Sequence, residues 1–338
     1  MWKLKQPSDE LKEWYKNKLL SGLITRVSSN LNVNEKNILY PDNNVSILEE
    51  LLLSEPVRHK SLNDDLMADI FATNDFERSD YAKYLTLYDK ENKSEDERTF
   101  LQQRKPVLEK LLKTFDYDGQ ISQSQSRSYY LTIKQGHNTC TYCNRQYVFT
   151  VEKHIKTDGV GRPKIVRATR PQLDHWFAKD GYPLLSLNLY NLIPSCSICN
   201  SSAKGTRLFD LDSYVHPYLT DKEEPDFKFR YSPLKESGWT VRIDETGDLK
   251  EHNMIEAFKL EDIYSYHGNL EVKDILDWRY QNDDTYLEEI MKNTMSHYNL
   301  SMSEVYRMFF GVELDKTKTL DRPLSKLKRD ILSKIGVI

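Results

Sequence analysis

The chain has 338 residues, 30% of them charged and 11% aromatic, with only 12 Gly and 12 Pro, a composition that excludes collagen-like, low-complexity and wholly disordered proteins. No apolar run approaches the ~20 residues of a membrane-spanning helix, and a net charge of −4 argues against a protein that clings to nucleic acid over its whole surface. The charge is unevenly placed: residues 121–210 hold 12 Lys+Arg and 5 Asp+Glu, a local +7, leaving 36 basic against 47 acidic elsewhere, or −11. A basic centre between acidic arms fits a polyanion site confined to the middle of the chain.

In chain order, the opening "MWKLKQPSDELKEWYKNKLL" mixes acidic with basic residues and lacks the features of a signal peptide. It is expected to be a helix of the mature protein, in a cytoplasmic chain. Residues 1–120 are expected to be mostly helical. Apolar positions recur every three to four residues in "SDELKEWYKNKLLSGLI", "NVSILEELLLS" and "ERTFLQQRKPVLEKLLKTF", and Ser8 is a plausible helix start. A central region, 121–215, holds all the cysteines. Within it "TVEKHIKTDGVGRPKIVRATRPQLDHW" has the pattern of a β-hairpin with a Gly-containing turn. The remainder, 216–338, starts with a loop and short strands ("VHPYLTDKEEPDFKFRYS", "WTVRIDETGDLK") and turns helical from about 258. The fold class expected is therefore α+β. There is no P-loop, so the chain has no ATPase of its own.

The four cysteines form two CxxC pairs, Cys140 with Cys143 and Cys196 with Cys199, separated by 52 residues. Two such pairs with no cysteine left over point to a tetrahedral Zn²⁺ site. Disulfides are disfavoured in a reducing cytosol, and a redox pair is the competing reading. Four thiolates would close the coordination sphere, so this ion is expected to hold chains together and do no chemistry.

Between the pairs lie Asp174 and His175 at the end of a short strand, Asn191 16 positions on, Asn200 nine after that and Lys204 four later. The combination "LDH … YNLIPSC … CNxxxKG", spanning about residues 137–207, resembles the ββα-metal core of HNH endonucleases, in the branch where two CxxC pairs bracket the hairpin. The resemblance implies His175 as general base, Asn191 as the residue bracing the loop and orienting it, and Asp174 with Asn200 as ligands of one catalytic cation. Asn200 stands where many members have histidine. That hard-oxygen set favours Mg²⁺ or Mn²⁺ over softer metals. Ala178, where relatives often have proline, removes no functional group. Lys204 is a candidate phosphate contact or a solvated helix lysine, and Arg145, Arg167 and Arg170 are weaker candidates for nucleic-acid backbone contacts.

The implied activity is hydrolysis of DNA phosphodiester bonds. The wider layout, with its "HPY" loop and its "RPLSKLKRDIL" near the C-terminus, resembles bacterial anti-phage HNH effectors of the Septu and retron-associated kind, which implies a separate ATPase or other defence subunit as partner. The competing class is a non-catalytic zinc module that binds nucleic acid or protein.

Overall fold

The computed structural model describes residues 1–156, 163–245, 247–282, 285–293 and 300–338. It is an α+β protein with helices at both ends and, among the described residues, three separate two-stranded antiparallel sheets between them. The amino-terminal region contains α1 (Asp9–Asn30), α2 (Val33–Leu39), α3 (Ser46–Leu53), α4 (Pro56–Ala72), α5 (Asp80–Tyr88) and α6 (Glu95–Phe115), followed by α7 (Gln125–Gln135). The oxygen of Ser8 accepts from the amide of Leu11 at 3.2 Å and starts α1, as the sequence suggests. The buried stripe of α1, Leu11, Tyr15, Leu19, Leu23 and Val27, repeats every four residues and packs on α3 and α6. A capping box of Ser94 and Glu97 starts α6, which tolerates Pro106 and stops where Asp116 turns left-handed. The first eight residues are not helical. They run extended toward the carboxy-terminal region, with Leu4 N–H on Pro217 O at 3.0 Å and Trp2 edge-on to Phe227.

Strands β1 (Val151–Lys156) and β2 (Pro163–Thr169) form the predicted hairpin; its Gly-containing turn lies outside the described residues. Strands β3 (Gln172–His175) and β4 (Leu192–Ser195) pair antiparallel, with Asp174 opposite Ile193 and His175 opposite Leu192. Strands β5 (Lys228–Pro233) and β6 (Trp239–Asp244) make the third sheet. Helix α8 (Leu249–Ala257) begins earlier than the sequence pattern suggested. Asp248, expected in a turn, caps it by accepting from the amides of Lys250 and Glu251. Then come α9 (Leu260–Ser265), α10 (Glu271–Gln281), α11 (Tyr286–Asn293), α12 (Met302–Phe310) and α13 (Ser325–Lys334). Buried residues from all three sequence segments, such as Trp2, Phe115, Trp176, Phe227 and Leu327, belong to one continuous cluster. No helix of the described residues is long and apolar enough to cross a membrane.

Helix α4 places His59 in this core with no exposed surface. Its Nε2–H donates to Ser54 O at 2.7 Å and its ring meets Phe177 edge-on. Burial pushes its pKa down to about 4. The unfolded chain, with histidine near 6.5, therefore binds more protons than the folded chain as pH falls from 6.5 towards 4. Stability from this group is complete above 6.5 and declines by about 3 kcal/mol by pH 4. Urea midpoints at pH 7 and 4.5 should show a His59→Gln chain losing less stability on acidification than the parent. Equal losses would refute the assignment.

Candidate active site and metal cluster

The first CxxC pair lies on a tight loop closed by a bridge between Thr139 and Tyr147. Cys140 N–H donates to Gln146 O at 3.0 Å, and Asn144 N–H returns to Cys140 O at 2.8 Å. The turn needs a left-handed residue, and Asn144 supplies it at φ 46°. The second pair follows β4, with Cys199 inside a π-helical turn, Ile198–Lys204, where a regular helix was expected. Cys196 N–H points at Cys140 Sγ (3.3 Å) and Cys199 N–H at Cys196 Sγ (3.4 Å). All four cysteines are free thiols and buried, and their sulfurs lie within 4.8 Å of one another. Sulfurs around one tetrahedral ion with bonds of about 2.3 Å would sit about 3.8 Å apart, so the cluster fits a single metal ion such as zinc.

The loop is also a hub for the rest of the chain. The Asn144 side chain reaches Thr319 O (2.8 Å), Arg322 O (3.1 Å) and the amide of Ser325 (3.1 Å), while its carbonyl accepts from Leu324 (2.7 Å). Tyr264 O–H donates to Cys143 O. The "HPY" residues add further ties: the His216 ring lies tilted against Trp176 at 4.6 Å, and Pro217 O holds the extended amino-terminal segment through Leu4 N–H.

Because the two cysteine pairs converge, the turn after Cys196 is held beside β3. Between them lies a cleft of about 410 Å³ whose lining includes Asp174, His175, Asn200, Lys204 and Arg170. Asp174 is 2% exposed. Its Oδ2 accepts from Tyr142 O–H at 2.6 Å and its Oδ1 from Lys204 Nζ at 3.2 Å. Lys204 is therefore not a solvated lysine, though it lines the cleft. It is buried, donates to His175 O at 2.5 Å and lies over the Phe209 ring.

His175 Nε2 is 2.9 Å from Ser186 O. A carbonyl can only accept, so Nε2 carries the proton and Nδ1 keeps a lone pair. Burial, with help from Lys179 and Lys204, pushes the pKa of His175 down to about 3 against the opposing Ser186 bond. The imidazole is thus neutral at neutral pH, with Nδ1 as its free lone pair. The Tyr117 ring stands edge-on to it at 4.3 Å. Asn191 does not line the cleft. Its Oδ1 accepts from Phe177 N–H (2.7 Å) and its Nδ2 donates to Phe177 O and Leu185 O (both 3.0 Å), fixing the 176–191 loop that carries Ser186. It braces the loop whose Ser186 O lies against His175 Nε2.

Asn200 Nδ2 donates to Gln172 Oε1 at 2.8 Å, leaving Oδ1 as an acceptor. Asp174 and Asn200 thus offer the cleft hard oxygen donors of the kind Mg²⁺ or Mn²⁺ takes, with Lys204 already against the carboxylate. Arg170 lines the cleft and is held by Ser122 O and Pro171 O. Arg145 and Arg167 do not line it. Arg167 pairs with Glu152 across the β1–β2 hairpin, and Arg145 lies towards Tyr264 and His267. Sequence reasoning missed Tyr142, Gln172, Tyr117 and Lys179. The two-residue period of a strand would have placed Gln172 on the face of Asp174; Tyr117 arrives from the end of α6 with no local signal.

The buried Lys204–Asp174 pair gives a measurable expectation. Lys204→Met leaves a carboxylate without its counter-ion and should cost about 3–5 kcal/mol, because the remaining charge stays out of water. If Asp174 is a cation ligand, millimolar Mn²⁺ should restore much of the lost thermal stability in this variant and raise the parent's far less. Equal shifts in the two chains would count against it.

Comparison with protein-family models, curated proteins and solved structures gives no match.

Proposed function

We propose that the cleft is the active site of a metal-dependent HNH-type endonuclease that hydrolyses DNA phosphodiester bonds. One observation carries the reading. His175 ends a strand of a two-stranded hairpin, next to a carboxylate, with its Nδ1 left free by the Ser186 bond, and it shares a cleft with Asn200 on the following helical turn. In this reading His175 Nδ1 takes the proton of the attacking water. Asn191 fixes the loop so that the tautomer cannot change. Tyr142 and Lys204 orient the Asp174 carboxylate. Asp174 and Asn200 would hold Mg²⁺ or Mn²⁺, whose chemistry when bound is to offset charge on the phosphoryl and leaving oxygens. Arg170 and Lys179 supply cationic lining for the substrate backbone. The cysteine cluster holds structural Zn²⁺ and sets the distance between β3 and the turn carrying Asn200. An anti-phage role beside a separate ATPase belongs to the same proposal and rests on the sequence resemblance.

The ammonium of Lys204 against Asp174 favours a second reading, a zinc module that binds nucleic acid without cutting it. Incubation of the full chain with supercoiled plasmid in Mg²⁺ or Mn²⁺ separates the two. Nicked or linear product, absent in EDTA, is expected; retained binding without scission in either metal would select the second reading.

A further inference from the structure

The β1–β2 hairpin takes no part in the chemistry described above. Among the described residues each of its strands has only the other as a partner. It is tied to the body at its base, where Thr150 Oγ1 donates to Thr132 Oγ1 (2.8 Å), the Arg167 guanidinium lies 5.7 Å from the Tyr129 ring centre and Arg170 holds Ser122 O. Beyond that base it is a two-stranded ribbon roughly 20 Å long at ~3.3 Å per residue. Val151, Lys153, Ile165 and Val166 on it are exposed. An isolated ribbon with exposed apolar residues is an unfavourable thing to keep on a protein surface without a use.

Its composition says what the use is. The two strands, "VEKHIK" and "PKIVRAT", carry Lys153, Lys156, Lys164 and Arg167 against one acidic residue, Glu152, in a chain whose net charge is −4. Glu152 is itself matched with Arg167 across the ribbon. Such a surface suits a polyanion and repels the acidic arms of its own chain. Position narrows the partner further. The chain leaves β2 at Thr169, and the next residue, Arg170, and then Gln172 already line the cleft. Whatever the ribbon grips is delivered to His175 within a few residues of chain.

We propose that the β1–β2 ribbon is a duplex-DNA grip that enters the major groove beside the cleft and sets where along the strand the cleft engages the backbone; the proposal rests on the nuclease reading of that cleft. The B-form major groove, about 12 Å wide and 8.5 Å deep, admits a two-stranded ribbon. The major groove of an A-form RNA duplex is too deep and narrow for side chains to read. Exposed Lys153 is placed for a phosphate of the groove wall, the lysines of both strands add positive charge along the ribbon, and Ile165 and Val166 are of the apolar type that contacts thymine methyl groups.

The test is a titration of the full chain, parent and Lys153→Glu/Lys156→Glu/Lys164→Glu, against one fluorescent 30-base-pair DNA duplex at several salt concentrations, in EDTA so that nothing is cut. Zinc content and melting temperature serve as controls of folding. Losing three phosphate contacts should lower the slope of log K against log salt by about 2–3 and the affinity at least tenfold. An unlabelled RNA duplex should compete at least tenfold less well than DNA. Equal affinity and slope in the two chains, equal competition by RNA, or a parent that binds no duplex would each overturn the proposal. Plasmid cleavage is scored separately. A ribbon variant that binds like the parent while the parent cuts in Mg²⁺ refutes the grip and leaves the nuclease. A parent that grips DNA through the ribbon but never cuts refutes the nuclease and leaves the grip.

Discussion

His175→Ala should slow plasmid cleavage by about two to four orders of magnitude, the usual contribution of a positioned general base. DNA affinity and zinc content should stay near those of the parent. The expectation follows from what the side chain touches. Its Nε2–H is fixed on Ser186 O and its ring lies against Tyr117, so the group free for proton transfer is Nδ1. Removing a buried ring also leaves a cavity, so some loss of melting temperature is expected on packing grounds alone. His175→Gln controls for that, because its amide can still donate to Ser186 O without offering an imidazole lone pair. Both variants should be comparably inactive while the glutamine chain melts closer to the parent. Parent-like cutting by either variant removes His175 from the mechanism.

The second large effect is expected from the cysteine cluster. One tightly held Zn²⁺ per chain should copurify. Cys196→Ser, or stripping with a strong chelator, should abolish the cooperative unfolding transition of the whole chain. Structural zinc sites contribute apparent binding free energies of about 10–16 kcal/mol at neutral pH. The total stability of a folded domain is about 5–15 kcal/mol. Removing the first from the second leaves no folded state to measure. The loss should not stay local, because Asn144 and Tyr264 fasten the carboxy-terminal half to the same loop. Elemental analysis that finds no metal in freshly purified protein, or a Cys196→Ser chain that melts like the parent, would sink this.

Much of the site was legible because its signals are local. CxxC spacing announces a metal cluster whatever the fold, and Asp-His at a strand end followed by two asparagines is a run of short-range features. The stripe of α1 and the cap at Ser8 are likewise written within single turns of helix. What was not legible depends on groups distant in sequence. Lys204 looked like a surface lysine because nothing nearby in sequence shows that a carboxylate 30 positions earlier will bury it. Arg145 and Arg167 have the right charge in the right region, but strand register and the docking of α9 turn them from the cleft. Asp248 was assigned to a turn because a Gly–Asp pair suits a turn and a helix cap equally well.

Asn144 carries a consequence for the order of synthesis. The loop it belongs to is completed only by residues near the end of the chain: Thr139, whose hydroxyl accepts from the Asn144 side chain within that loop, donates to a carbonyl 181 positions later. At about 5–20 residues per second, a ribosome takes roughly 10–40 s to deliver that partner. During that interval the first cysteine pair, and then the second, emerge with part of their support missing. Zinc that arrives early would meet thiols on an unfinished scaffold. A chain cut short before residue 319 would have the four cysteines without the residues that lock the loop of the first pair.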